Sequence, residues 1–66
     1  MKLITRYDLA AKSIHELRGL YRTVFNALVQ SVPDSAQRRN ALASLENISR
    51  ELNQRYDDQW RMDAGP

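Results

Sequence analysis

Sixty-six residues, 42% of them hydrophobic and 27% charged, make one domain at most, folded rather than disordered, whose core only narrowly offsets chain entropy. There is no cysteine, and His15 is the single histidine, so no disulfide, thiolate metal site or paired-histidine site can brace it. Ten basic and eight acidic residues, interspersed along the chain, leave a net charge of +2, a weak electrostatic footprint that argues against nucleic acid as the partner.

The opening segment, MKLITRYDLAAKS, is interrupted by Lys2, Arg6, Asp8 and Lys12 and lacks the apolar stretch of a signal peptide. No window approaches a bilayer span, so the expected location is the cytoplasm, with no membrane association. Thr5 followed by Asp8 forms a capping box, and Ile4 and Leu9 sit where a hydrophobic staple would fix the start of a helix. This predicts a short helix over 6–12. A second box, Ser13 with Glu16, restarts or continues the helix; the sequence leaves a break between the two open, and a kink is the expectation.

From residue 14 to 31 the apolar residues fall at Leu17, Leu20, Tyr21, Val24, Leu28 and Val32, a repeat of every three or four residues, which is a helix face. Phe25 and Val29 widen the arc to about half the circumference, more than one neighbouring helix covers. Part of that arc is therefore expected to await another molecule. Gly19 interrupts the helix interior at a cost of roughly 1 kcal/mol relative to Ala, and tolerance explains it better than a close backbone approach.

Pro33 ends this helix and pushes Val32 out of the helical region. Asp34 is the expected cap of the next helix, with Gln37 reaching back, so VPDSAQ reads as a tight corner between antiparallel helices. The third helix is expected over 35–56, with Ala41, Leu42, Leu45, Ile48, Leu52 and Tyr56 on its inner face. Residues 57–66 lose the pattern and read as a flexible tail. The expected fold is all-α: a single helical domain over 1–56, an antiparallel hairpin with a short N-terminal helix packed across it.

Catalysis finds little to work with. There is no nucleophile–base pair and no glycine-rich phosphate loop, and the adjacent Asp57 and Asp58 lie where no rigid shell would tune them. The chain is expected to be no enzyme and to use no cofactor or metal. The paired Arg38 and Arg39 point to different sides of a helix, about 100° apart, so they cannot act as one fork. Phosphate binding, pairing with acids on a partner, and simple solvation all stay open for them. Arg18 and Arg22, four apart on the second helix, could join Arg39 and Arg50 in a basic rim. Exposed aromatics beside arginine have the composition of protein-binding hot spots. Leu20, Tyr21, Phe25 and Val29, rimmed by Arg18, Arg22, Arg39 and Arg50, are accordingly the expected partner-binding residues. Self-association is a further use of the same surface.

The runs KLITRYDLAAKS, ELRGLYRTVFNAL and RRNALASLENI, spanning most of residues 2–52, resemble small antiactivators of the QseM type carried by proteobacterial integrative and conjugative elements. The resemblance implies a protein that binds transcriptional activators directly, a LuxR-type quorum-sensing regulator and a second activator of excision and transfer, and so keeps transfer of a mobile element silent. A second resemblance, carried by Arg18, Pro33, Ser35, Arg38 and ALASLE at 41–46, is to phage proteins that sequester cyclic oligonucleotide signals of CBASS defence. It implies an oligomer with Tyr7, Arg18, Ser35 and Arg38 as ligand contacts. The segment NISREL departs from that second pattern. A small DNA-binding regulator is a third alternative.

Overall fold

A computed structural model describes residues 2–63, with side chains described as far as Gln59. It contains three α-helices, α1 (Arg6–Leu9), α2 (Ile14–Gln30) and α3 (Ala36–Asp63), and no strand among the described residues. The all-α expectation is met. Both predicted capping boxes are present. The Thr5 hydroxyl accepts from the Asp8 amide while the Asp8 carboxylate accepts from the Thr5 amide at 3.0 Å, and Ser13 and Glu16 repeat the exchange. Thr5 and Ser13 are both extended, so the second box marks a true chain break rather than a kink.

Three boundaries differ from expectation. The first helix stops at Leu9 instead of residue 12, because the amides of Ala10 and Lys12 turn back to the carbonyls of Tyr7 and Leu9 at 3.3 and 3.1 Å and close the last turn tightly. The second helix ends at Gln30, where the Ser31 hydroxyl donates to the Leu28 carbonyl at 2.6 Å and the Ser31 backbone turns extended. The third helix continues to Asp63 rather than giving way to a tail after Tyr56. No glycine or proline lies between Asp57 and Asp63 to stop it. The rest of the expected tail, 64–66, lies outside the described residues.

The corner differs in its cap. The Ser35 amide donates to the Val32 carbonyl at 3.2 Å across Pro33 and Asp34, and Asp34 has φ 63°. Proline before a residue of positive φ is the pattern of a type II turn. Asp34 is thus spent on the left-handed turn position, and Ser35 takes over as cap, its hydroxyl accepting from the Arg38 amide at 3.1 Å.

The core consists of Leu9 from α1, Leu17 and Val24 from α2, and Ala41, Leu45 and Ile48 from α3, with Ile4, Leu20, Leu28 and Leu52 packed against it. The N-terminal segment is tied to α3 by polar contacts. The Ile4 amide donates to the Ser44 hydroxyl at 3.0 Å, and its carbonyl accepts from the Asn47 amide nitrogen at 2.9 Å. Arg55, held by Glu51 at 2.9 Å, donates to the carbonyls of Leu9 and Ala10 at 3.3 and 3.1 Å. Since the bonds of this segment fall successively on Ser44, Asn47, Gln54 and Arg55, α1 runs along α3 in the same direction, and α2 returns antiparallel. At about 1.5 Å per residue, α3 outruns α2 and its last two turns stand clear of the hairpin. Among the described residues no helix is long and apolar enough to cross a membrane.

A Cβ placed on Gly19 meets nothing within 4 Å, so Gly19→Ala should raise stability by about 1 kcal/mol in urea denaturation. The carboxyls of Asp8 and Glu16 are held below their ordinary values first by the backbone amides and then by the hydroxyls of Thr5 and Ser13. A depressed folded-state pKa gives stability that is present above the ordinary carboxylate range and lost as the pH falls through the depressed values. The Tm should therefore decline on acidification, while a variant carrying both Asp8→Asn and Glu16→Gln should melt lower at neutral pH and show a flatter acid dependence.

Candidate protein-binding face

A helical hairpin has two grooves, one on each side of the plane containing its axes. The side chains that bond the N-terminal segment, namely Ser44, Asn47, Gln54 and Arg55, lie on one flank of α3. At about 100° per residue, Leu42, Ser49 and Tyr56 fall on the opposite flank. Leu17 and Val24 form the buried line of α2. Leu20 and Ala27 flank that line on one side, Tyr21 and Phe25 on the other. Because both helices are right-handed and run antiparallel, the Leu20 flank borders the groove that α1 fills, and the Tyr21 and Phe25 flank borders the groove across the hairpin, together with Leu42 and Tyr56.

That second groove is uncovered among the described residues, and it is apolar. Phe25 is 46% exposed, Leu42 50% and Tyr56 45%, with Tyr21 at 36%. The rings of Tyr21 and Phe25 stack with centroids 6.5 Å apart and planes 13° from parallel. With Arg22 they line an open depression of about 270 Å³. Val29 continues the strip outward at 66% exposure. The exposed floor is mainly the rings of Tyr21, Phe25 and Tyr56 and the Leu42 side chain, with the tyrosine hydroxyls and Ser49 as its polar groups, which suits a largely apolar partner.

The predicted partner-binding residues divide in this geometry. Tyr21, Phe25, Val29, Arg18 and Arg22 share the outer flank of α2. Leu20 does not; it is partly buried against the core on the α1 side. Arg39 and Arg50 lie on the far side of α3 and are otherwise engaged. Arg39 donates to the Asp34 carbonyl at 3.2 Å, and Arg50 pairs with Glu46 at 2.6 Å. Arg38, half-buried on the α2-facing flank of α3, takes their place on the rim. Leu42 and Tyr56, expected on the inner face, are half-exposed members of the groove instead.

The four alternative ligand residues are not brought together. Tyr7 is 90% exposed on α1, and the Ser35 hydroxyl is spent on capping α3. Ser35 and Arg38 sit at the corner, whereas Arg18 lies about 20 Å away along α2, taking about 1.5 Å of rise per residue. Among the described residues no three His, Cys, Asp or Glu side chains gather as a metal site would need.

Sequence reasoning passes over Ser44, Asn47 and Arg55, which bond across forty or more positions of chain to the N-terminal segment. Only the presence of polar residues on the inner side of a helix hints at them. Comparison with known proteins adds no relative: no family model, curated protein or solved structure matches the chain.

Charge placed on the two flanks of α2 should separate their roles. Phe25→Glu is expected to change the urea-denaturation stability by no more than about 1 kcal/mol, since its ring is already half in water. Leu20→Glu puts a carboxylate against the core and should cost about 2 kcal/mol or more.

Proposed function

We propose that this protein is a non-enzymatic regulator that acts by binding another protein stoichiometrically, in the manner of an antiactivator that occludes a transcriptional activator. One observation carries the protein-binding reading: a stacked, half-exposed Tyr21 and Phe25 pair borders a groove of the hairpin that no element of the described chain fills. A helix lying in such a groove would complete the packing that α1 supplies on the other side. The identity of the target as a LuxR-type quorum-sensing regulator, and of a second activator governing excision and transfer of a mobile element, rests on the sequence resemblance. Steric occlusion by a domain of this size fits that role, because covering one functional helix of a larger protein needs little more than one groove.

The test is capture of partners by the tagged, full-length protein from lysate of its host, with bound proteins identified by mass spectrometry and bound small molecules extracted separately. The expected result is a transcriptional activator at near-equal stoichiometry with the wild type, lost with Phe25→Glu and kept with Tyr7→Ala. Recovery of a cyclic oligonucleotide with no protein would overturn the reading in favour of a nucleotide sponge. Retention of the same activator by Phe25→Glu would remove the groove from the account.

A further inference from the structure

The rim of the open groove carries three arginines, Arg18, Arg22 and Arg38, and no ion pair among them. On α3, Arg50 and Arg55 each have a glutamate four residues earlier and pair with it at 2.6 and 2.9 Å. Arg18 and Arg22 have each other at that spacing, a like-charge pair that works against the helix. Neither has an acid three or four residues away. Arg38 has Ala41 and Leu42 at those distances along α3, and Asp34, four residues before it, lies in the turn outside the helix and forms no ion pair with it. Among the described residues none of these three guanidinium groups has a side-chain partner, while Asp8, Glu16, Glu46 and Glu51 are all engaged in caps or ion pairs. The groove therefore has an aromatic and aliphatic floor and a rim of unpaired positive charge.

We infer that this groove takes an acidic amphipathic helix of a partner protein, its apolar side on Tyr21, Phe25 and Leu42 and its carboxylates toward Arg18, Arg22 and Arg38. The inference rests on the protein-binding reading and names the chemistry of the partner. Three features select this occupant. The floor is a groove between antiparallel helices, the shape a third helix fits. The span from Arg18 to the corner, about 20 Å, matches about 13 residues of helix. The rim charge disfavours a second copy, since an isologous pair would set the same three arginines against themselves.

The test uses the full chain and two synthetic helical peptides of about 15 residues with the same Leu and Phe face, one flanked by Glu and the other by Lys. Binding is read by fluorescence anisotropy, with an oligothymidine as a third probe and sedimentation of the protein alone as a fourth measurement. The glutamate peptide should bind about tenfold or more tightly than the lysine peptide. Arg22→Glu with Arg38→Glu should reverse that preference, with the helical circular dichroism unchanged, and Phe25→Glu should weaken both peptides. Equal affinities, preference for the lysine peptide, or binding of neither overturns the inference. So does tight oligothymidine binding, or dimerisation of the protein that Phe25→Glu abolishes. If the peptides fail while lysate capture still yields a partner lost with Phe25→Glu, protein binding stands and only the acidic helix falls. If both fail, the protein-binding reading falls with it.

Discussion

Two helices packed side by side leave two grooves, and among the described residues the short segment 2–12 covers one of them. The asymmetry of the described fold comes from that placement. A helix of four residues has no independent stability, because nucleation costs more than its few hydrogen bonds return. Segment 2–12 therefore stays in place only through what it touches. Leu9 is fully buried with Leu17 and Ile48, and Ile4 joins the edge of that cluster. The resulting core is small, as expected for 66 residues. Placing Leu9 and Ile4 on one side concentrates it there and leaves the other groove open.

The side that is covered is held by polar groups as well as by apolar area. A short helix leaves most of its carbonyls unpaired. Arg55 takes up two of the main-chain carbonyls at the end of α1, and Glu51 holds the guanidinium in position for them. Charge-assisted bonds of this kind contribute about 1.5–3 kcal/mol, more than the neutral pair between Ser44 and Ile4. Ser44 is fully buried with its hydroxyl occupied by the Ile4 amide, so it acts as a fixed register mark for the segment. A slip of one residue would leave that hydroxyl and the Asn47 side chain without partners, which makes the observed alignment the favoured one.

Local chemistry is legible in this sequence and distant chemistry is not. The two capping boxes, the helix of α2 and the proline corner depend on residues a few positions apart, and each forms where the sequence places it. At the corner, two adjacent residues compete for one role. Asp34 is the better cap by charge, yet the turn needs a residue that tolerates positive φ, and between Asp34 and Ser35 the aspartate accepts it more readily. The end of α3 escapes a reading by periodicity, because loss of the apolar pattern marks the end of packing and not the end of helix. A helix that has left its neighbours no longer needs an apolar face. The exposure of Leu42 and Tyr56 escapes it for a related reason. Periodicity gives the width of an apolar arc but not the directions from which neighbours approach. Only the positions of Ser44, Asn47 and Arg55 against the N-terminal segment decide which edge of the arc stays wet.

The two surfaces of the hairpin also differ in how their charges are arranged, and the difference comes from spacing along each helix. Glutamates at 46 and 51 precede arginines at 50 and 55 by one turn, the order that also suits the helix dipole, so the side of α3 away from the groove neutralises itself. Along α2 the positions four residues from Arg18 and Arg22 hold Ile14, Asn26 and the other arginine. A solvated face gains nothing from that arrangement and loses a few tenths of a kcal/mol to repulsion. Paired charges on a surface do little beyond keeping it soluble, whereas unpaired arginines beside a half-exposed aromatic floor retain their capacity for bidentate bonds. The groove side thus keeps its aromatic and aliphatic area and its arginines unspent, while the opposite side commits Leu9, Ser44, Asn47 and Arg55 to holding the N-terminal segment.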